Sequence, residues 1–369
     1  MQRESGTSIF ADPRGIRRII LRISAAVVVV LFLAAAGSFA WSLLLAPKLL
    51  LPSELSDFRA RYRALPPPAL PPRDIKDDWK RITPPARSRT ASASATNSQV
   101  TLGYVAPWDS ASLVSLERHA DALTHVATDW FSLTGVEGTL REEPSDRVRL
   151  LCVRRGMGFL PILKNLDGDE WQPEAVEELA NAPETERAAF LDRLVSRLPP
   201  GATGLIVEWC QTDPLCRAEV TRLVTEMGTR LHAAGKELWF TAPTGTDFNA
   251  FDLDAIAETA DRLIAPLYDE NSEPADPGPI ASSDWFQGWL GAMMVHGEPH
   301  HWVIGLGAYG YDWRKDDGTV EQLGFTDAMA RAAQAGVDPG QGIRCEDGSP
   351  VFEYLGGDHQ EQRHELWFL

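Results

Sequence analysis

The chain has 369 residues, of which 35 are basic and 52 acidic, for a formal charge of −17, and 44% are hydrophobic. A chain so composed folds, so disorder throughout is excluded, and the acid excess excludes nucleic acid as a partner for the bulk of it. The charge is unevenly placed: residues 1–98 hold 15 Lys/Arg and 7 Asp/Glu, net +8, which leaves 20 and 45, net −25, for residues 99–369.

Residues 1–22 form a basic segment with Arg14, Arg17, Arg18 and Arg22 near its end. Ile23 to Ala46 follow as 24 residues without a charge. As a helix this run is about 36 Å long, enough to cross a bilayer core. The arginines before it outnumber the single Lys48 just after it, so the basic end is expected to stay cytoplasmic. The reading is an uncleaved single-pass signal anchor in a bacterial inner membrane, with the rest of the chain periplasmic or extracellular. The apolar run exceeds the ~7–15 residues of a cleaved signal peptide. Residues 47–98 contain PPPALPP, ITPPARSR and TASASATNSQ, a tether whose prolines favour extended geometry and whose Ser/Ala run builds no core.

From Gln99 onward, short β-rich runs alternate with helical patterns, which predicts βα units on a parallel sheet. Strands are expected at 100–108, 125–133, 158–165, 203–210, 236–243, 262–269 and 302–311. Helices are expected at 183–198 and 218–235, where apolar residues recur every three or four positions. The fold class is α/β, a TIM barrel over residues 99–369 with seven of its eight strands, so the chain reads as truncated at its C-terminus. The last part holds QLGFTDAMARAAQAG and a β-like stretch ending in HELWFL.

GATGLIVEWC (201–210), PLYDENSEPADPGPIASSDWF and VIGLGAYGYDW together resemble the family 18 glycoside hydrolases, which include chitinases. More narrowly, they are similar to the amino-terminal part of bacterial membrane proteins that also carry a polysaccharide deacetylase and a family 2 glycosyltransferase. Those two domains would be partners missing from this chain. The resemblance implies a barrel whose fourth strand carries DxxDxDxE, with the Glu as general acid and the substrate's N-acetyl oxygen as nucleophile. A Tyr-Asp pair on strand six, here Tyr268 and Asp269, would help hold the acetamido group.

Side chains two apart on a strand share a face, so the motif's carboxylates line the barrel interior and climb to its carboxyl mouth. Anchored on Gly204, the four motif positions here are Thr203, Ile206, Glu208 and Cys210. One carboxylate survives, and a thiol stands at the general-acid position. A thiol donates weakly and is shorter than Glu, and loss of positioned proton transfer typically costs about 10²- to 10⁴-fold. Glu208 lies about 6.6 Å deeper along the strand. It reads either as a buried structural carboxylate tied to Tyr268 and Asp269 or as a substitute acid.

Trp108, Trp130, Tyr309, Tyr311 and Trp313 fall at or near the carboxyl ends of the expected strands and are candidate sugar-stacking residues, since aromatic faces pack on sugar rings. Asp167-Gly168-Asp169 matches a short DxD and reads as an acidic loop. His300 and His301 would point to opposite faces of a strand, and no metal site or cofactor is indicated. The four cysteines, Cys152, Cys210, Cys216 and Cys345, have no CxxC spacing, though Cys210 and Cys216 are near enough in sequence for a disulfide across the strand-four loop.

The resulting expectation is a membrane-anchored, family 18-like barrel that recognises N-acetylglucosamine-containing polysaccharide and hydrolyses it weakly or not at all. An active hydrolase using Glu208 and a structural or protein-interaction module without a sugar site are the competing readings.

Overall fold

A computed structural model describes residues 99–369 apart from Trp108, 136–138, 273–275, 339–340 and 357–361. The apolar run at 23–46 and the tether lie outside the described residues. Among the described residues, no helix is long and apolar enough to cross a membrane.

Seven strands form a parallel sheet in the order β1 (Leu102–Val105), β2 (His125–Thr134), β4 (Gly158–Lys164), β7 (Gly204–Glu208), β8 (Glu237–Thr241), β9 (Arg262–Pro266) and β10 (Trp302–Gly305). β3 (Thr139–Glu142) adds antiparallel to β2, and β5 (Leu166–Asp167) pairs with β6 (Glu170–Trp171). The connecting helices are α1 (Ser110–His119), α2 (Asp146–Arg155), α3 (Pro173–Asn181), α4 (Glu184–Ser196), α5 (Arg217–Ala233), α6 (Leu253–Ala257) and α7 (Ser283–Met293). All seven expected parallel strands form, six of them shorter than expected and β2 one residue longer.

The inner strands bury both faces, as a parallel sheet with helices outside requires, while the edge strands β1 and β10 leave Tyr104 and Ile304 exposed. Ala127, Leu160, Ile162, Ile206, Trp239 and Ile264 form a small cluster on the concave face. Their strand neighbours Leu205, Val207, Leu238 and Phe240 pack outward with Val220, Leu223, Val224 and Met227 of α5. β7 is therefore apolar on consecutive residues because its two faces serve different cores. Complete burial of a side chain such as Ile206 stabilises by about 1.5–3 kcal/mol.

The expected strand 302–311 is two elements, broken after Gly305. β11 (Tyr309–Arg314) belongs to a second, antiparallel sheet of order β12 (Val320–Gly324), β11, β15 (Gln362–Phe368), β14 (Ser349–Gly356), β13 (Arg344–Glu346), with α8 (Phe325–Gln334) against it. His300 and His301 sit in a 3-10 turn, Pro299–His301, ahead of β10 and not on a strand.

Gly204 is needed for backbone packing. A Cβ there would lie 2.5 Å from the Glu237 carbonyl oxygen and 2.9 Å from Glu237 Cβ, closer than β7 and β8 allow. Gly204→Ala should push the two strands apart and cost about 1–3 kcal/mol, read as a lower denaturant midpoint at unchanged slope.

Candidate functional site

The concave face of β7 presents Gly204, Ile206 and Glu208 in turn, and Cys210 follows two residues beyond Glu208, past the strand's last residue. Glu208 pairs in register with Lys164, the last residue of β4, and Ile206 below it with Ile162. An apolar layer of Ala127, Ile162, Ile206, Trp239 and Ile264 thus underlies a polar one.

That polar layer is organised by Lys164. Its Nζ lies 2.9 Å from Asp129 Oδ1 and 3.4 Å from Glu208 Oε1, and the three side chains are 20%, 24% and 19% exposed. Burial works against the ammonium, but Glu208 and Asp129 outweigh it and hold Lys164 above the ordinary lysine range. Glu208 is therefore tied to Lys164 and not, as the sequence suggested, to Tyr268 and Asp269.

Asp129 reaches Lys164 from the concave face of β2, two residues beyond Ala127, and β2 bulges immediately after it. Asp129 pairs with Ile162 but Phe131 with Leu163, so Trp130 is the extra residue. Trp130 lies on the helix side with Val126, where it is buried against Phe159 with ring centroids 5.5 Å apart, and the bulge sets Phe131 and Leu133 on that side as well. That placement differs from the ligand-facing one expected, because Trp130 shares the helix-side face of β2 with Val126, opposite to Ala127 and Asp129.

Asn165, fully buried just beyond β4, holds the chain after β7 in place. Its Nδ2 donates to the Cys210 carbonyl and its Oδ1 accepts from the Cys210 N–H, both at 2.9 Å, a side chain standing in for a strand neighbour. Gln211 then takes a left-handed φ of 61°, and its N–H donates to Asp247 Oδ2 at 2.5 Å. No disulfide joins Cys210 and Cys216. Burial is the first cause holding the Cys216 thiol above its usual value, with Glu177 and Asp213 adding to it.

Tyr268 and Asp269 follow β9. Burial, then the negative charge of Glu208, raises the Tyr268 phenol well above the ordinary range, and Tyr104, Asp269 and Cys210 add smaller contributions, which places all of these groups around one mouth. Tyr104, from β1, responds likewise to the protein around it and to Glu208, although solvent reaches 41% of its surface. Asp269 has a φ of 65° and accepts from the Tyr309 hydroxyl at 2.5 Å and the Tyr311 hydroxyl at 2.9 Å. A non-glycine residue in that region stores strain, and such positions gather at binding sites. The Tyr309 ring also meets Tyr268 edge-on, centroids 6.0 Å apart.

Of the other aromatic candidates, Trp313 is buried in the core beneath the second sheet with Ile280, Tyr311, Val351 and Trp367, so it supports the mouth from behind. Trp108 lies outside the described residues. The GPIA segment is structural: Glu270 accepts from the N–H and hydroxyl of Ser282, Asn271 donates to the Pro279 carbonyl at 2.9 Å, and Ile280 is fully buried.

The DxD at 167–169 is the turn of the β5–β6 hairpin, with Gly168 at φ 59° and Asp167 paired to Arg141. Among the described residues, no three His, Cys, Asp or Glu side chains are grouped to hold a metal ion. Lys164, Asn165 and Asp129 are the residues that sequence reasoning missed. For Lys164 and Asn165 the signal is positional, a charged and an amide residue ending an otherwise apolar strand, whereas Asp129 is a lone carboxylate within the apolar run of β2.

No family model matches the chain. A curated relative, the uncharacterised glycosylase YvbX of Bacillus subtilis strain 168, is 22% identical over 286 residues, which is 73% of this chain and 79% of that protein. Among solved structures, a chitinase of Chromobacterium violaceum ATCC 12472 superposes with a TM-score of 0.64 at 24% identity, covering 73% of this chain and 86% of that one. The spore cortex-lytic enzyme SleL of Bacillus megaterium QM B1551 gives 0.63 at 20% identity over 72% and 64%. A class V chitinase of Pseudomonas fluorescens Pf-5 gives 0.64 at 18% identity over 73% and 88%. What the chain shares with these proteins is the fold: a curled, seven-stranded parallel α/β sheet like that of the chitinases.

Proposed function

We propose that the chain is a membrane-anchored, extracytoplasmic barrel that binds N-acetylglucosamine-containing polysaccharide at this mouth and hydrolyses it weakly or not at all. One observation carries the second half: the surviving strand-four carboxylate has an ammonium 3.4 Å away. A general acid must hold a proton and give it up to the glycosidic oxygen. Glu208 instead has the Lys164 ammonium, shared with Asp129, against its carboxylate. The position beyond it is Cys210, whose thiol is a weak donor on a short stem.

Binding is a separate matter. Tyr268, Tyr309 and Tyr311 converge with Asp269 at the mouth, where phenols and a carboxylate suit an acetamido sugar and aromatic edges suit its ring. The anchor and the outward placement of the barrel rest on the charge asymmetry around residues 23–46.

The full chain should bind an N-acetylglucosamine oligomer in calorimetry while releasing no chromophore from its chromogenic derivative above background. Asp269→Ala should weaken binding by about tenfold or more, since both tyrosines lose their acceptor. Turnover that vanishes in Glu208→Gln but survives in Cys210→Ala would overturn the inactive reading. No oligosaccharide binding at millimolar concentration would leave a structural role.

Lys164→Met should cost about 2–4 kcal/mol by leaving Asp129 and Glu208 facing each other uncompensated. The folded-state value of Lys164 is raised, so its stabilisation is present in full below the free-lysine value of ~10.4 and is lost as pH climbs through the higher folded value. Denaturation of both proteins should therefore show a constant difference from neutral to mildly alkaline pH that closes only in stronger alkali.

A further inference from the structure

The β5–β6 hairpin, which rises from the end of β4, carries a tryptophan that no core accounts for. Every other tryptophan among the described residues is buried in an apolar cluster, as Trp209 is on the helix side and Trp239 on the concave side. Trp171 is only partly buried and belongs to none of these clusters. Its cross-strand partner, Leu166, is likewise partly buried and outside them. An indole is among the largest apolar side chains and is highly buried on average, so one left at a surface beside a binding mouth has its partner elsewhere than in the fold.

The hairpin is placed by the strand it grows from. Asn165 joins β4 to β5, and its carbonyl accepts from the Gln172 N–H at 2.7 Å, so the ladder closes directly above Lys164. Leu166 lies two residues beyond Lys164, on the same side of the chain, and directly opposed residues of a ladder share a face, so Trp171 stands on the side of the mouth. Its height is set too: Lys164 is level with Glu208, and the Asn165 amide bonds the Cys210 backbone, which sets the hairpin beside the rim position two residues past Glu208. The mount is firm. Asp167, on the other face, is tied to Arg141 of β3, the turn runs through Gly168, and Pro173 opens α3 two residues after Trp171. A ring on fixed backbone loses little freedom when a ligand covers it.

The hairpin sequence LDGDEW, residues 166–171, holds three carboxylates and no cation, which repels an anionic polymer and leaves a neutral sugar ring, apolar on its C–H face, as the partner that fits the indole. From these features we infer that Trp171 forms a second sugar subsite, on the β5–β6 hairpin, which stacks a further ring of the polysaccharide whose acetamido sugar is held at Tyr268, Asp269 and Tyr309. The inference deepens the polysaccharide-binding function proposed above and rests on it.

Calorimetric titration of the full chain with the di- and tetrasaccharides of N-acetylglucosamine reads the subsite through length. The tetrasaccharide should bind about tenfold or more tighter than the disaccharide, and in Trp171→Ala that gain should shrink to about threefold or less, with Trp171→Phe between the two. Fluorescence gives an independent reading: the tetrasaccharide should shield a tryptophan from acrylamide quenching in the wild-type chain and not in Trp171→Phe, which keeps a ring on the hairpin even where Trp171→Ala fails to fold. Trp171→Phe should also keep the wild-type denaturant midpoint. A length gain unchanged in Trp171→Ala, equal affinity for the two oligomers, or a lowered midpoint in Trp171→Phe, which would make the indole a structural residue, would each overturn the inference while leaving glycan binding intact. Binding of neither oligomer would remove the proposed function itself along with it.

Discussion

One ammonium group joins three strands of the sheet. Lys164 stands at the end of β4, takes Asp129 from β2 on one side and Glu208 from β7 on the other, and sits on a floor of Ala127, Ile162, Ile206, Trp239 and Ile264. A cation removed from water at the top of an apolar layer is tolerable only with carboxylates to meet it, and those carboxylates are tolerable only with the cation. The mouth therefore has a fixed electrostatic arrangement, and the chemistry available to Glu208 follows from it. A carboxylate used to neutralise a neighbour supplies charge and hydrogen-bond acceptors, which suits recognition better than proton transfer.

The backbone around this group is equally constrained. Gly204 lets β7 and β8 approach at the bottom of the strand, and the Asn165 amide bonds both backbone groups of Cys210 at the top. Between them the alternation of β7 is undisturbed, which sets Glu208 on the concave face with Cys210 beyond it. Past that point the chain turns through the left-handed Gln211, and past Tyr268 through the left-handed Asp269, so strained backbone collects at the mouth and not along the strands.

The seven parallel strands are legible in the sequence because each is apolar on consecutive residues, which for the inner strands follows from burial on two faces. Glu208 and Cys210 are placed by counting from Gly204, because β7 carries no bulge. The same counting fails on β2 beyond Asp129, where one extra residue leaves Phe131 on the helix side together with Trp130. Lys164, Asn165 and Asp129 escape the sequence for a different reason. Their roles are contacts between strands about 35 to 45 residues apart, and periodicity within a segment says nothing of what lies beside it. For the same reason the five-stranded sheet reads as only a β-like stretch, since β11 pairs with β15 across about 50 residues.

β11 shows how one short motif serves two parts of the molecule. Its odd positions, Tyr309, Tyr311 and Trp313, face the barrel side: two phenols reach Asp269, and the indole packs with Ile280, Val351 and Trp367. Its even positions face the other way. Gly310 has no side chain because a Cβ would sit 2.3 Å from the Trp367 carbonyl, and Asp312, fully buried, accepts from Arg331 of α8, Tyr354 of β14 and His364 of β15, the last at 2.9 Å. A buried carboxylate with three donors from three elements fixes how the second sheet is assembled, and the alternation of the strand carries that fixity through to the tyrosines on its opposite face. The positions of Tyr309 and Tyr311 thus depend on an ion pair and hydrogen bonds on the far side of the strand from Asp269, which is why YGYDW is informative as a unit when none of its residues is informative alone.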